Sequence, residues 1–208
     1  CSHYVSGAAK PVHWTGEPHA VVNLKLDFDG GVTLLTGAAD IGQGSATVLS
    51  QVVAETLGVP MARIRVIAND SAVTPKDAGS YSSRVTFMAG AAAIDASNLL
   101  MAQVREQLAT QRGTAADDIR FVDDGVRLDA NEHLTWAQVA ALTGPLKVNG
   151  HHHLDHPYPD PKTGYGNYSA TYAFGAQAAE VEVDPATGQV KVLKVVAIQD
   201  VGRVINEA

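Results

Sequence analysis

The period of the hydrophobic pattern changes along this chain, and that change limits the fold more than any other feature. Val22, Leu24, Leu26 and Phe28 alternate within Val21 to Phe28, the spacing of a half-buried strand. Asp29-Gly30-Gly31 follows as a hairpin turn, because glycine accepts positive φ, and Val32 to Leu35 is the returning strand. Beyond Gly42-Gln43-Gly44 the period lengthens. A helix begins near Ser45, carries Val48, Leu49, Val52, Val53 and Leu57 on one face, and stops at Gly58 and Pro60. Alternation returns over Arg63 to Ala68, with Ile64, Val66 and Ala68 facing together.

Asn69 to Thr86 is long, irregular and polar. Phe87 to Gln111 then reads as an alanine-rich helix with Ile94, Met101, Val104 and Leu108 on one stripe. Ile119 to Leu128 predicts a small hairpin around Asp123-Asp124-Gly125, and Leu134 to Leu142 a short helix ended by Gly144-Pro145. Gly150 to Asn167, with its histidines, prolines and glycines, reads as a loop. Tyr168 to Val183 and Gln189 to Ile198 are long strands joined by a turn at Asp184-Pro185-Ala186-Thr187-Gly188. The expected class is α+β, with mixed sheets and packed helices in place of a βαβ series, as one region over residues 1–208.

Composition removes several function classes. The 208 residues carry 15 Lys+Arg against 22 Asp+Glu, a net charge of −7, which opposes a general nucleic-acid binder. A hydrophobic fraction of 46% excludes wholesale disorder. No apolar run approaches the ~18 residues of a membrane span. The single cysteine, Cys1, cannot build an internal disulfide framework or a Cys-only zinc or iron–sulfur site within this chain. Cys1 also lacks a local base to make it a nucleophile. Its place at the start, and the end just after an apolar stretch, lead us to expect a piece of a longer chain.

Three segments carry candidate chemistry. Asp40-Ile41-Gly42-Gln43-Gly44-Ser45 lies between a strand and a helix, where glycines let a ligand approach the backbone and a helix start offers N–H groups to an anion. The plain alternative is a tight turn with a helix cap. Gly79-Ser80-Tyr81-Ser82-Ser83-Arg84-Val85-Thr86 gathers hydroxyls and a guanidinium before the long helix, donors suited to phosphate or a polar heterocycle. Its alternative is a solvated loop with a serine or Thr86 as cap. His151-His152-His153 and His156 invite a metal reading, although consecutive histidines in an extended chain point to opposite faces. An exposed loop is the simpler account of them.

Taken together these segments resemble the large subunit of the molybdenum hydroxylases, the xanthine dehydrogenase and aldehyde oxidase family. Leu35 to Gly44 is similar to the family's G-x-x-[ED]-x-G-Q-G element, Gly79 to Thr86 with Ala89-Gly90 to its serine-rich loop and following helix, and Ala179 to Asn206 to its E-V-E-V-D-x-x-T-G…D-x-G-x-x-[IL]-N hairpin. The resemblance implies part of the second molybdopterin-binding region, with Gly42, Gln43, Gly44, Ser80, Tyr81, Ser82, Ser83 and Arg84 holding the cofactor. It further implies molybdenum–molybdopterin, as the cytosine dinucleotide in bacteria, together with an FAD-binding medium subunit and an iron–sulfur small subunit in a cytoplasmic enzyme. Family subunits have an earlier cofactor-binding half and a late G-V-G-E whose glutamate is the catalytic base. Neither is found here, so this chain is expected to need the missing parts of the large subunit for turnover, and no catalytic or metal-ligating residue is assigned in it. Tyr4 to Pro11, Ser80 to Arg84 and Gly164 to Ser169 look most like the 4-hydroxybenzoyl-CoA reductase branch, which implies reductive dehydroxylation of an aromatic acyl-CoA. A xanthine- or aldehyde-type member is the alternative, and a stand-alone binding or scaffold module is the rival from another class.

Overall fold

The computed structural model describes residues 2–6, 16–122, 124–129, 132–154, 159–167 and 170–206. Cys1, Asp123, His156, Tyr168 and Ser169 lie outside the described residues, as does Gly7 to Pro11. The chain divides into two compact units, Ala9–Asp155 and Cys1–Ala8 with His156–Ala208.

The larger unit is built on a four-stranded sheet. Its strands are β2 (Ala20–Leu26), β3 (Val32–Thr36), β4 (Ile64–Ala68) and β8 (Leu146–His152), in spatial order β4-β3-β2-β8. β2 runs antiparallel to β3 and to β8, whereas β3 and β4 are parallel. Helix α1 (Ser45–Leu57) makes the crossover between the parallel pair, as parallel neighbours require. It is bounded by glycines in left-handed conformation, Gly44 at its start and Gly58 at its end, where a residue with a Cβ is strained.

Register decides which side chains meet the helices. Leu24 pairs Leu34 and Val148, Leu26 pairs Val32 and Leu146, and Leu34 pairs Val66, so these residues share one face. Helix α2 (Gly90–Arg112) packs on that face, presenting Ala92, Ala93, Ala96, Leu100, Val104 and Leu108. Its stripe includes the expected Val104 and Leu108 but otherwise differs from the expected one. Ile94 is exposed and Met101 only partly buried, because alanines are what the crossing point admits. A Cβ on Gly150 of β8 would overlap the Ala92 carbonyl and the Ala96 amide. Helix and strand approach until only glycine and alanine fit between them.

Gly150 also explains an expectation that fails. Leu146 to His152 is strand β8, with Leu146, Val148 and Gly150 buried and the residues between them exposed. The irregular segment thus starts beyond His152 and not at Gly150. A glycine that reads as loop punctuation is here a close-packing residue inside a strand.

The remaining elements of this unit form a smaller layer. β5 (Arg120–Val122), β6 (Gly125–Arg127) and β7 (His133–Thr135) make an antiparallel sheet, and helix α3 (Trp136–Thr143) follows. The expected helix at Leu134 starts two residues later because Thr135 is its cap. The Thr135 hydroxyl accepts from Gln138 N, and the Gln138 side chain accepts from Thr135 N, a reciprocal cap of about 1 kcal/mol. Trp136 is fully buried and stacks on Phe121 with centroids 5.8 Å apart. Val85–Arg112 is, by length and composition, one helical stretch long and apolar enough to cross a membrane. Polar residues such as Asp95 and Asn98 interrupt it, so it holds no apolar run of that length, and its alanine face packs on the sheet as a core helix does.

The second unit is a three-stranded antiparallel sheet, β1 (Ser2–Ser6), β9 (Thr171–Val183) and β10 (Val190–Asp200), in order β1-β9-β10. Near the turn its faces differ in character. Val181 and Val183 lie across from Val192 and Val190, while Glu182 and Glu180 lie across from Lys191 and Lys194 on the other face. The expected turn forms at Asp184, whose carboxylate accepts from Ala186 N and from the Thr187 hydroxyl.

Candidate functional site

The two glycine- and serine-bearing loops leave the carboxyl ends of the parallel strands β3 and β4, the edge where open α/β sheets commonly bind ligands. Chain packing brings them together. The Pro75 carbonyl and Asp77 occupy the space that a Cβ on Gly37 would need. The second loop therefore runs directly against the root of the first.

A single oxygen then ties the loops. The Ala39 carbonyl accepts from Gln43 Nε2 at 2.9 Å and from Ser80 Oγ at 2.6 Å. Gln43 Oε1 accepts in turn from Ile41 N at 2.6 Å. The Gln43 amide is thus fixed at both ends, and its second N–H is left as a spare donor. Gly42 and Gly44 have φ of 101° and 72° with open space where a Cβ would stand, so their conformation, and not crowding, calls for glycine.

Asp40 holds this turn from inside. Its carboxylate accepts from Gly42 N at 3.0 Å, Gly44 N at 3.3 Å and Ala46 N at 3.5 Å. These N–H groups, Gly42 first, hold the carboxyl below its ordinary value against a desolvation that pushes it up. The α1 N-terminus that the sequence offered to an external anion already carries an internal one.

The serine loop is fastened at its base. Arg84 and Asp77 form an ion pair at 3.1 Å, with side chains only 1% and 3% exposed. Arg84 also donates to the Gly79 carbonyl at 2.9 Å and to the His19 carbonyl, and Asp77 accepts from Gly79 N at 2.8 Å. The guanidinium expected to meet a cofactor phosphate is instead consumed inside the protein, where it braces the loop. Arg84 is a positioning residue in this geometry. Tyr81 is 44% exposed and Ser83 is also exposed. Ser82 and Ser83 have φ of 53° and 45°, left-handed values that cost about 1–3 kcal/mol each and gather at functional sites. One π-type turn, Val85–Ala89, leads from this loop into α2.

His19, which sequence reasoning passed over, is buried beneath the same edge. Its Nδ1 accepts from Leu154 N at 3.1 Å, and its amide donates to the His152 carbonyl. Its only sequence signal is its place just before β2. His152 ends β8 with its ring edge-on to Phe87 at 5.7 Å. Burial pulls the His152 imidazole below its ordinary value, His153 adds to this, and Asp95 opposes it. The His151 amide donates to Asp95. Among the described residues no group of three His, Cys, Asp or Glu side chains is placed to hold a metal ion.

Comparison with known proteins identifies the family to which this fold belongs. The molybdopterin cofactor-binding domain family matches residues 1–208. The 6-hydroxypseudooxynicotine dehydrogenase complex subunit gamma of Paenarthrobacter nicotinovorans is 30% identical over 178 residues, covering 85% of this chain and 22% of that protein. The molybdenum-binding subunit of xanthine dehydrogenase from Escherichia coli O157:H7 is 29% identical over 195 residues, covering 90% of this chain and 25% of that protein. The crystal structure of quinoline 2-oxidoreductase from Pseudomonas putida 86 superposes with a TM-score of 0.74 at 24% identity, covering 98% of this chain and 26% of that one. The chain spans about a quarter of the length of such relatives.

Proposed function

The chain belongs to the molybdopterin cofactor-binding domain family, and from that premise we propose that its paired loops hold part of a molybdopterin in a molybdenum-dependent oxidoreductase. The observation that supports this most is the convergence of the Gly42–Gly44 and Ser80–Ser83 segments on the Ala39 carbonyl. The donor set suits an extended, acceptor-rich ligand. Gln43 offers its spare amide hydrogen, Gly42 and Gly44 leave room for close approach, and Tyr81 and Ser83 present exposed hydroxyls. When bound, molybdopterin supplies the molybdenum redox centre. The chain's own part is to bind and orient it. Gln43 and the loop hydroxyls make the contacts, with Ser80, Asp77 and Arg84 keeping them in place. No residue of this chain is assigned to proton transfer.

The finer reading adds the cytosine dinucleotide form of the cofactor and a cytoplasmic complex with FAD-binding and iron–sulfur subunits. With one cysteine, this chain cannot itself ligate a Cys₄ iron–sulfur cluster. For substrate, the resemblance at Ser80 to Arg84 supports an aromatic acyl-CoA of the 4-hydroxybenzoyl-CoA type. A xanthine- or aldehyde-type substrate accords equally with the relatives above.

The test is molybdenum and pterin content, with activity, of the purified complex carrying Gln43→Ala or Ser83→Ala. Lower occupancy in the Gln43 variant is expected, and unchanged occupancy with unchanged activity would refute the assignment. Turnover of 4-hydroxybenzoyl-CoA, xanthine and an aromatic aldehyde by the unmodified complex separates the substrate readings.

A further inference from the structure

We infer that Asp40 is a specificity-determining positioning residue: it is the resident anion of the α1 N-terminus, and it keeps the phosphate groups of a ligand off that terminus. This deepens the reading of Gly42–Gly44 as a ligand loop and rests on it. A strand–glycine-loop–helix unit ordinarily favours phosphate at the helix start, through free N–H groups and the positive end of the helix dipole. Here one carboxylate accepts from the amides of Gly42 and Gly44, just ahead of the helix, and at 3.5 Å from Ala46 in its first turn, groups that an incoming phosphate would share. A second anion there would meet like charge and would have to compete with the carboxylate for these amides. Gln43, fixed between Ile41 N and the Ala39 carbonyl, projects from the turn that Asp40 shapes and carries no charge. The first loop therefore recognises an uncharged polar acceptor, and an anionic tail is directed elsewhere. The carboxylate does two things at once: it sets the turn that aims Gln43, and it sets the polarity of what Gln43 can meet.

The test is an amide-resolved NMR titration of the full 208-residue chain with inorganic phosphate, comparing the natural protein, Asp40→Ala and Asp40→Asn. In the natural protein the Gly42, Gly44 and Ala46 amides should respond only weakly. In Asp40→Ala the vacated terminus should take phosphate about two- to fivefold more tightly than the natural chain, the size expected of an exposed charge at a helix end. The Leu49 and Val53 amides report whether α1 remains folded. Should Asp40→Ala lose α1, Asp40→Asn replaces it, since an amide keeps an acceptor but drops the charge, and its response should exceed the natural one. Equal responses in natural and variant chains overturn the inference, and so does silence of the three amides in a variant whose α1 is intact. These outcomes use no cofactor, so they stand apart from success or failure of the Gln43 occupancy test.

Discussion

Replacing Gly150 by alanine tests the packing that sets the position of α2, and with it the exit of the serine loop. The added Cβ would lie 2.6 Å from the Ala96 Cβ, with the Ala92 carbonyl and the Ala96 amide nearer still. Ordinary contact begins near 3.4 Å, so the helix must retreat from β8 by about 1 Å. It cannot do so alone, because Ala92, Ala93, Ala96, Leu100 and Val104 are buried in the same layer. Overpacking costs about 1–3 kcal/mol, and a clash with backbone places this variant at the upper end, roughly a hundredfold in the folding equilibrium. Gly90→Ala is the control. That position is helical, with φ of −62° and ψ of −44°, and nothing lies within 4 Å of its would-be Cβ. Alanine there should stabilise by about 0.5–1 kcal/mol. Urea denaturation reads both as shifts of midpoint at unchanged slope. A Gly150→Ala midpoint matching the natural protein, or equal losses in both variants, would refute the close-approach argument.

Two other predictions address the edge that carries the site. Arg84→Met strands the Asp77 carboxylate in the interior and should cost about 3–5 kcal/mol, with Arg84→Lys intermediate because it keeps the charge without the fork; a denaturation midpoint unchanged in Arg84→Met contradicts the brace. The depressed imidazole of His152 gives a pH dependence of definite sign. The unfolded group titrates near 6.5 and binds protons more readily than the folded one, so its contribution is complete above that value and is lost as pH falls toward the lower folded value. Stability measured over about pH 5 to 7 should slope upward with pH, and His152→Gln should flatten the slope; an unaltered slope rejects the assignment.

Much of the framework was legible because burial on one face imposes a period. The alternation of Val22, Leu24 and Leu26 and the glycine-bounded helix Ser45–Leu57 appear in the structure nearly where the pattern places them. Strand β8 escaped notice because its inward position 150 is a glycine, and only the neighbouring helix explains that choice. The two loops were legible as loops with donors. The ties that fasten them to each other and to the sheet were not, because those depend on partners far apart in sequence. Arg84 is committed to the carbonyl of His19, and Ser80 to a carbonyl in the other loop. Local chemistry shows which groups are present, and tertiary contacts decide which of them remain free.

The shared Ala39 carbonyl has a practical meaning for protein engineering. An amide oxygen has two lone pairs, and here the Gln43 side chain and the Ser80 hydroxyl take both. Neither loop is therefore a portable cassette. Grafted alone onto another scaffold, the first would lose the hydrogen bond from Ser80, and the second would lose the anchor for its first serine. The transferable unit is the pair, with the end of β3 and the glycine at position 37 that lets them touch.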